Sequence, residues 1–521
     1  MIGFGGGRFD RRQVFKGTGA AVALTALGGW PLPAVAADRV RAGITGYSVI
    51  NTLDPGKATL IPEYYVLWGL YNGLLAFDEK MNVVSDLAEG FAAVDGGALE
   101  FKLRSGVKFH DGSVLSADDV KFSFERLLDE KFASPNRSKL AEVDRIEIVD
   151  PLTVRIHTKR AFAPLLTFLT NARTGTQILP HKAVKEMGDE KFGRTPIGTG
   201  PYRLQEWNAN QGLVLAAHEG YFRGAPRLKT IEVPLITEES SGVTALLGGQ
   251  IDLTSTAPFA DVPQLEKNKA IKVLKQPGLN TRFISLNLRK APFDDVHFRR
   301  AVSMAFQREA MVRAVLFGEG VVTNGVLPPA LGPFHDPKPR DVTTFNAERA
   351  RAELAKSKYK AKDQKFAVVT WGSGWWKRIA EVFVAQVNAT LGTQLTVEVT
   401  DPNAAYARQK SGDFLASVWG WTGFVDADEY LYDILHSKGW RNFGGYSNPE
   451  ADKLIEASSR ELDVAKRAAI CRQAEALVME EAPVIACFCS NIHNLLSAKV
   501  DGFVQKPYGN YGDQFPMLTV A

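Results

Sequence analysis

The feature that most constrains the fold is a long alternation of short β-rich runs and amphipathic helical stretches, which continues from Val40 to the C-terminus. The chain has 521 residues, of which 45% are hydrophobic and 23% are charged, as in a globular protein. One hydrophobic core stops growing at roughly 250–300 residues, so we expect two or three domains. The mixture of strands and helices predicts an α/β or α+β architecture.

Two segments alternate apolar and polar residues with the period of a half-buried strand, and each contains a turn dipeptide at its centre. Residues 145–158 (RIEIVDPLTVRIHT) turn at an Asp-Pro pair, and residues 98–113 (ALEFKLRSGVKFHDGS) turn at a Ser-Gly pair. Both segments are therefore predicted to be β-hairpins.

Five segments show the periodicity of amphipathic helices. In the first of them we expect Ser116 to cap the helix, with Asp118 and Asp119 in the first turn, where the helix dipole favours acids. The last segment is expected to break near Leu462 and Asp463. The predicted helices span residues 116–130, 295–316, 346–357, 375–392 and 448–481.

The N-terminal segment, residues 1–37, has a different character. A pair of arginines precedes a weakly apolar stretch and a small-residue A-x-A site, which is the pattern of a twin-arginine export signal cleaved near Ala36 or Ala37. A membrane anchor is the alternative, but the apolar stretch is shorter than the ~20 residues that span a bilayer. No cysteine near the site could carry a lipid. We expect a free protein in the periplasm.

Charge and motif patterns exclude several classes of function. The net charge of +4 comes from scattered Lys and Arg residues, so nucleic acid is not expected as a partner. The eight histidines never occur at i,i+2 or i,i+4 spacing, and there is no CxxC or G-x-S-x-G motif. An S-x-x-K match at 105–108 falls across a predicted turn. We expect no enzyme, no catalytic residues, no cofactor and no locally encoded metal site.

The three cysteines leave two possibilities open. Cys487 and Cys489 share one face of a predicted strand and are poorly aimed at each other. A disulfide from Cys471 to one of them is compatible with an oxidising compartment. Free buried thiols are the other possibility.

Several long segments resemble the extracytoplasmic solute-binding proteins of family 5, which are the dipeptide, oligopeptide and nickel binders of ABC importers. The first begins LYNGLLAFDEKMNVVSDLAEG, and another reads FISLNLRKAPFDDVHFRRAVSMAFQRE. The resemblance covers essentially the whole chain after the export signal, in order. The matching segments are 70–128, 196–207, 248–255, 283–309 and 443–455.

This resemblance implies a type II periplasmic-binding-protein-like α/β fold with two lobes, hinge strands between them and an extra inserted domain. The ligand, a small molecule or a peptide, would lie between the lobes, and the closed form of a monomer would dock on the transmembrane subunits of the ABC permease. The implied boundaries are 38–77, 196–290 and 495–521 for the first lobe, 78–195 for the inserted domain and 291–494 for the second lobe.

In peptide-binding relatives, the stretch that matches GWTGFVDADEYL lines the cleft. Its backbone, here Thr422 and Gly423, pairs with the peptide, and an aspartate three residues after Trp421 holds the α-ammonium. This chain has Phe424 at that position, which offers only a cation–π contact of ~0.5–2 kcal/mol. Asp426 is the substitute candidate, and capping of the following helix is the other interpretation of this residue.

Further candidates for ligand binding are aromatic: Trp419, Trp371, Trp375 with its neighbour Trp376, and Tyr47. Core packing is the alternative for each tryptophan. Because the ammonium anchor is missing, three hypotheses about the ligand remain. The protein binds a peptide or peptide-like solute, or a non-peptide solute such as an oligosaccharide, opine or metal chelate, or it acts as a chaperone-like binder of unfolded segments.

Overall fold

The computed structural model describes residues 38–94, 98–372, 374–423, 426–509 and 511–521, and the predicted export signal lies outside them. The strands are β1 (Arg39–Thr45), β2 (Leu75–Phe77), β3 (Val83–Ser85), β4 (Ala88–Ala93), β5 (Leu99–Leu103), β6 (Val143–Asp150), β7 (Thr153–Thr158), β8 (Tyr202–Asn208), β9 (Gly212–Ala217), β10 (Thr230–Ile236), β11 (Leu253–Thr254), β12 (Ile271–Pro277), β13 (Asn280–Leu286), β14 (Gly320–Val322), β15 (Ala367–Trp371), β16 (Thr396–Thr400), β17 (Ala416–Thr422), β18 (Val484–Ser497), β19 (Val500–Asp501) and β20 (Thr519–Val520). The helices are α1 (Ile61–Leu70), α2 (Ala117–Leu128), α3 (Pro164–Phe168), α4 (His181–Met187), α5 (Asp189–Arg194), α6 (Glu239–Leu247), α7 (Val262–Leu265), α8 (Val296–Met304), α9 (Arg308–Leu316), α10 (Ala347–Leu354), α11 (Trp375–Leu391), α12 (Pro402–Ser411), α13 (Asp428–Leu435), α14 (Pro449–Arg460) and α15 (Val464–Glu480).

The predicted helices form, and local capping marks the start of several of them. Ser116 precedes α2, and its N–H and hydroxyl donate to the carboxylate of Asp119 at 2.8 and 2.9 Å. The break in the last predicted helix is confirmed, because α14 ends at Arg460 and α15 begins at Val464. The segment predicted as one helix from 295 to 316 is two helices, α8 and α9, separated by three residues.

One of the two predicted hairpins is confirmed and the other is wrong. Strands β6 and β7 pair antiparallel as expected. In the segment 98–113 the turn is present, with Gly106 at φ +73°, but β5 pairs with β4 and β7 instead of with the residues after the turn. The reason is burial: Val107 and Phe109 insert into the core against α2 and do not return along β5.

The largest sheet contains twelve strands, and β18 joins its two halves. Ten strands follow the order β16-β15-β17-β13-β18-β11-β1-β10-β9-β8, while β12 and β14 also pair with β18. Residues 484–488 of β18 pair with β13, and residues 491–497 pair with β12. Strands β12 and β13 follow each other after only two residues, 278 and 279. The chain therefore crosses between the two halves of this sheet at two places, within β18 and between β12 and β13.

Buried apolar side chains in the described residues form several separate clusters. One packs α1 against β1, β9 and β10 and contains Tyr202. Another packs α8, α9 and α11 against β13 and β15 and contains Phe383. A further cluster packs α2 on the four-stranded sheet β4-β5-β7-β6 and contains Phe124. The predicted boundaries of the lobes and of the inserted domain stay predictions.

The cysteines are buried free thiols, so the structure contains the second of the two arrangements left open above. Burial raises the pKa of Cys471 to about 11 and of Cys487 and Cys489 to about 12. None of the helices in the described ranges has both the length and the apolarity needed to cross a membrane.

Candidate functional site

A cavity of about 540 Å³ lies beside the end of β17 and collects side chains from distant parts of the chain. We call it the cleft cavity. Three predicted residues, Tyr47, Trp375 and Thr422, line it together with Trp376, so the structure brings them into one place. Burial raises the pKa of the Tyr47 phenol, which therefore stays neutral. Other residues of its lining are Arg173, Glu239, Phe259, Arg282 and His493.

Strand β17 has one covered edge and one edge that is covered only at its beginning. Its first edge pairs with β13 along the whole strand, from Asn280 opposite Thr422 to Leu286 opposite Ala416. On the second edge, β15 pairs only with Ala416 and Ser417. Beyond Ser417, no strand of the described residues pairs with this edge, so it reaches the cleft cavity at Thr422 without a partner strand.

Four of the predicted tryptophans form one continuous aromatic cluster. The ring centroids of Trp419 and Trp371 are 5.3 Å apart, those of Trp371 and Trp376 4.2 Å, and those of Trp376 and Trp375 4.7 Å. Only Trp375 and Trp376 line the cleft cavity, while Trp419 stacks on Tyr406 at 5.8 Å. Trp371 and Trp419 are thus placed behind the cavity wall and support it.

Trp421 lies on a second cavity of about 390 Å³, next to a cluster of charged groups. The Arg441 guanidinium lies 3.4 Å from the centroid of Trp421 and 3.8 Å from that of Trp440. Burial lowers the pKa of Arg441 to about 10. Glu429 and Asp433 line the same cavity, so Trp421 is a candidate for a different subsite from Thr422.

Gly423 allows the chain to pass directly against Tyr430. A Cβ at position 423 would lie 2.3 Å from Cζ of Tyr430, whose hydroxyl donates to the carbonyl of Leu279 at 3.0 Å. The following residue, Phe424, lies outside the described residues, so its place in the cleft stays a prediction.

Asp426 forms a buried ion pair with Arg467. One Arg467 nitrogen, Nη1, donates to Oδ2 of Asp426 at 2.9 Å, and Thr167 donates to the same oxygen at 2.9 Å. Burial acts to raise the pKa of Asp426, but the Arg467 charge and hydrogen bonds outweigh it and lower the pKa. Oδ1 also accepts from the N–H of Asp428, the first residue of α13, although the N-cap residue of this helix is Ala427. A ligand ammonium at Asp426 would have to compete with Arg467.

Charged residues of the cleft cavity were missed by sequence reasoning. Arg282 lies within β13, where it is 9% exposed, and burial lowers its pKa to about 10. Glu239 accepts a hydrogen bond from Thr256 at 3.2 Å, and burial raises the pKa of its carboxyl. An arginine inside the β-rich run NTRFISLNL was the available signal, because charged side chains are rarely buried without a function or a partner.

The model of a known family matches this chain over residues 82–442, which is more than half of its length. The chain belongs to the bacterial extracellular solute-binding proteins, family 5. Family 5 proteins are the substrate-binding components of ABC importers, and the mixed α/β architecture is that of type II periplasmic binding proteins.

Relatives of known identity match nearly the whole chain. Glutathione-binding protein GsiB of Salmonella paratyphi A is 27% identical over 485 residues, which cover 90% of this chain and 93% of that protein. The oligopeptide-binding protein AppA from Bacillus subtilis, solved with a nonapeptide, has a TM-score of 0.77 at 25% identity and covers 93% of this chain and 100% of its own. The murein tripeptide binding protein MppA from Escherichia coli has a TM-score of 0.76 at 25% identity, with 93% and 99% covered.

Metal ligation by clustered side chains is not evident in the part of the chain that the structure describes. In the described parts of the chain, no three His, Cys, Asp or Glu side chains are grouped so that they could hold a metal ion. His493, in the cleft cavity, uses its Nε2 in a 3.0 Å hydrogen bond to Glu319.

Asp433 beside Trp421 makes stability depend on pH. Burial, Glu429 and Asp428 raise the pKa of its carboxyl to about 7, although Lys139 and Trp440 act in the opposite direction. The folded protein therefore holds a proton that the unfolded chain loses near pH 4, and this stabilisation is lost as the pH rises through 7. Asp433→Asn should be more stable than the parent at pH 8.5, by about 1–2 kcal/mol, and the difference should shrink towards pH 5.

Urea unfolding at the two pH values, followed by circular dichroism, checks this expectation. Asp144→Asn, on an exposed part of β6, is the matched control and should show no such pH-dependent gain. An equal effect of Asp433→Asn at pH 5 and pH 8.5 would contradict a pKa raised by burial.

Proposed function

We propose that this chain is a periplasmic receptor that binds a peptide or peptide-like solute between two lobes and delivers it to the permease of an ABC importer. Residues 1–37 would direct export and be removed near Ala36 or Ala37, and the mature protein would act as a monomer. Glutathione, a nonapeptide and a murein tripeptide are the ligands in the names of the similar proteins, and all three belong to this chemical class.

The observation that carries the peptide class is the uncovered edge of β17 beside the cleft cavity. An extended peptide can add to a free strand edge through main-chain hydrogen bonds, while cavities beside the edge receive its side chains or termini. Thr422 ends this strand and lines the cavity, and Gly423 follows it. These two residues are the backbone positions that the family resemblance predicts.

The lobes are proposed with the boundaries given above: 38–77, 196–290 and 495–521 for the first, 291–494 for the second, and 78–195 for the inserted domain. The crossings at β12–β13 and within β18 are the proposed hinge, because they join the two halves of the large sheet. A ligand shifts such a protein towards the closed form only by binding that form better than the open one.

Titration calorimetry with a defined panel tests this function. The panel contains trialanine, glutathione, an opine, maltotriose and an unfolded reduced polypeptide. We expect one-to-one, saturable binding of at least one short peptide, and a peptide at 100 times its Kd should stabilise the fold by about 2.7 kcal/mol.

The other outcomes each favour a different function. Tight binding of maltotriose or of the opine alone would support a non-peptide solute and would overturn the peptide proposal. Binding of the unfolded polypeptide without any response to the small solutes would support a chaperone-like role instead.

A further inference from the structure

We propose that Arg282 binds a carboxylate of the transported solute, so that the cleft cavity selects ligands with a free carboxylate. This inference rests on the proposed function and adds the chemical class of one ligand group. It follows from the burial of Arg282, its unused donors, the room made for its side chain and the charge of the cavity.

Arg282 is a buried guanidinium without a carboxylate partner. It is 9% exposed, and no Asp or Glu of the described residues pairs with it. Two other buried arginines have one, since Arg467 binds Asp426 and Arg126 binds Asp54. A buried charge is costly unless it is paired, so the unpaired state of Arg282 calls for a partner that the described chain does not supply.

The unused donors lie on one edge of the guanidinium. Nη1 donates to the carbonyls of Thr281 and Trp421 at 3.0 and 3.1 Å, whereas Nη2 has only a 3.5 Å contact with Oγ1 of Thr422. Nε is buried without an acceptor. The N–H bonds of Nε and Nη2 on this edge are parallel, and a carboxylate accepts from such a pair with both of its oxygens.

Arg308 provides an internal comparison. It is also buried and also lacks a carboxylate partner, but its Nε donates to Ala486 O at 2.7 Å and its Nη2 to Ser303 Oγ at 3.0 Å. Every nitrogen of Arg308 thus has an acceptor in the protein, and Arg308 does not line the cleft cavity. Arg282 differs from Arg308 in two ways: one edge of its guanidinium has unused donors, and its side chain lines the cleft cavity.

The neighbouring strand makes room for this arrangement. Gly420 lies opposite Arg282 in the ladder, and a Cβ at Gly420 would lie 2.5 Å from Cδ of Arg282. Trp375 and Trp376 flank the guanidinium at 5.2 and 5.1 Å from their ring centroids. They are the first two residues of α11, so this helix holds the two rings beside the guanidinium.

The charges that line the cleft cavity also favour an anionic group. Its lining contains two guanidinium groups, Arg173 and Arg282, against one carboxyl, Glu239. Burial lowers the pKa of His493 despite its bond to Glu319, so this ring does not change the balance at neutral pH. In this lining, a ligand carboxylate would be opposed by one carboxyl, that of Glu239.

The test compares trialanine with its C-terminal amide by calorimetry on the full mature chain. For the parent protein we expect the amide to bind about 100-fold more weakly than the acid, because the amide loses a charge-assisted, two-point contact. Arg282→Gln should weaken binding of the acid by a similar factor and leave the amide unchanged. Arg282→Lys keeps the positive charge but loses the pair of parallel N–H donors. Its affinity for the acid should lie between that of the parent and that of Arg282→Gln.

Arg313→Gln, which removes an exposed arginine on α9, is the matched control and should bind both probes like the parent. Thermal melting of each variant shows that it is folded. Equal affinity of the parent for acid and amide, or an equal loss of both in Arg282→Gln, would overturn the carboxylate role while leaving a peptide receptor. If the folded parent bound neither probe, nor glutathione, nor any other solute of the panel, the proposed function would be overturned as well.

Discussion

Asp426→Asn is expected to lower the free energy of unfolding by about 3–5 kcal/mol, the cost of leaving a buried charge without its partner. Asp426 and Arg467 are 2% and 5% exposed, so water cannot replace the lost carboxylate. The neutral amide would also have to satisfy Thr167 and the N–H of Asp428, which now donate to the two carboxylate oxygens. Urea unfolding at pH 7 measures the effect.

The double variant Asp426→Asn/Arg467→Met is the control, because a methionine of similar length removes the unpaired charge along with the carboxylate. It should recover most of the stability that the single variant loses. If the single variant unfolded at the same urea concentration as the parent, the ion pair would contribute nothing, and Asp426 would again be available as a ligand group.

Gly200→Ala is expected to cost about 3 kcal/mol or more, or to prevent folding, because the new methyl group would overlap the backbone of α1. Its Cβ would lie 2.3 Å from the carbonyl carbon of Leu70 and 2.5 Å from the carbonyl oxygen of Gly69. These are main-chain atoms at the end of a buried helix, and they cannot rotate away. The Gly200 N–H also donates to Leu70 O at 2.9 Å, so a shift would break this bond.

Gly90→Ala is the matched substitution, since a Cβ at Gly90 in β4 would meet no atom within 4 Å. We expect it to change stability by less than about 0.5 kcal/mol. Thermal unfolding of the two variants side by side gives the comparison. If Gly200→Ala had the same melting temperature as the parent, the segment 196–201 would have to be able to move away from α1.

Features that depend on neighbouring residues were predictable from sequence. The cap of α2 by Ser116, the break between α14 and α15 and the pairing of β6 with β7 all involve residues close together in the chain. The hairpin at 98–113 failed because burial of Val107 and Phe109 outweighed the local alternation.

The tertiary structure decided how the aromatic candidates are distributed. Trp419 and Trp421 are two residues apart, yet Trp419 belongs to the tryptophan cluster beside the cleft cavity and Trp421 to the second cavity with Arg441. Neighbours in β17 acquire different surroundings because α11, α12 and the loop around position 441 cover different parts of one strand. Their roles could not be separated by spacing alone.

The sequence by itself predicted the α/β architecture, several helices and one strand whose last residue, Thr422, lines the cleft cavity. Only the tertiary structure showed that Asp426 is held by Arg467, 41 residues away in the chain, and that Arg282 has no such partner among the described residues. The physical reason is that the state of a charge depends on which groups surround it in space. Long-range packing brings Arg282, Trp375 and Glu239 to one cavity, and no local sequence pattern predicts that these residues lie together.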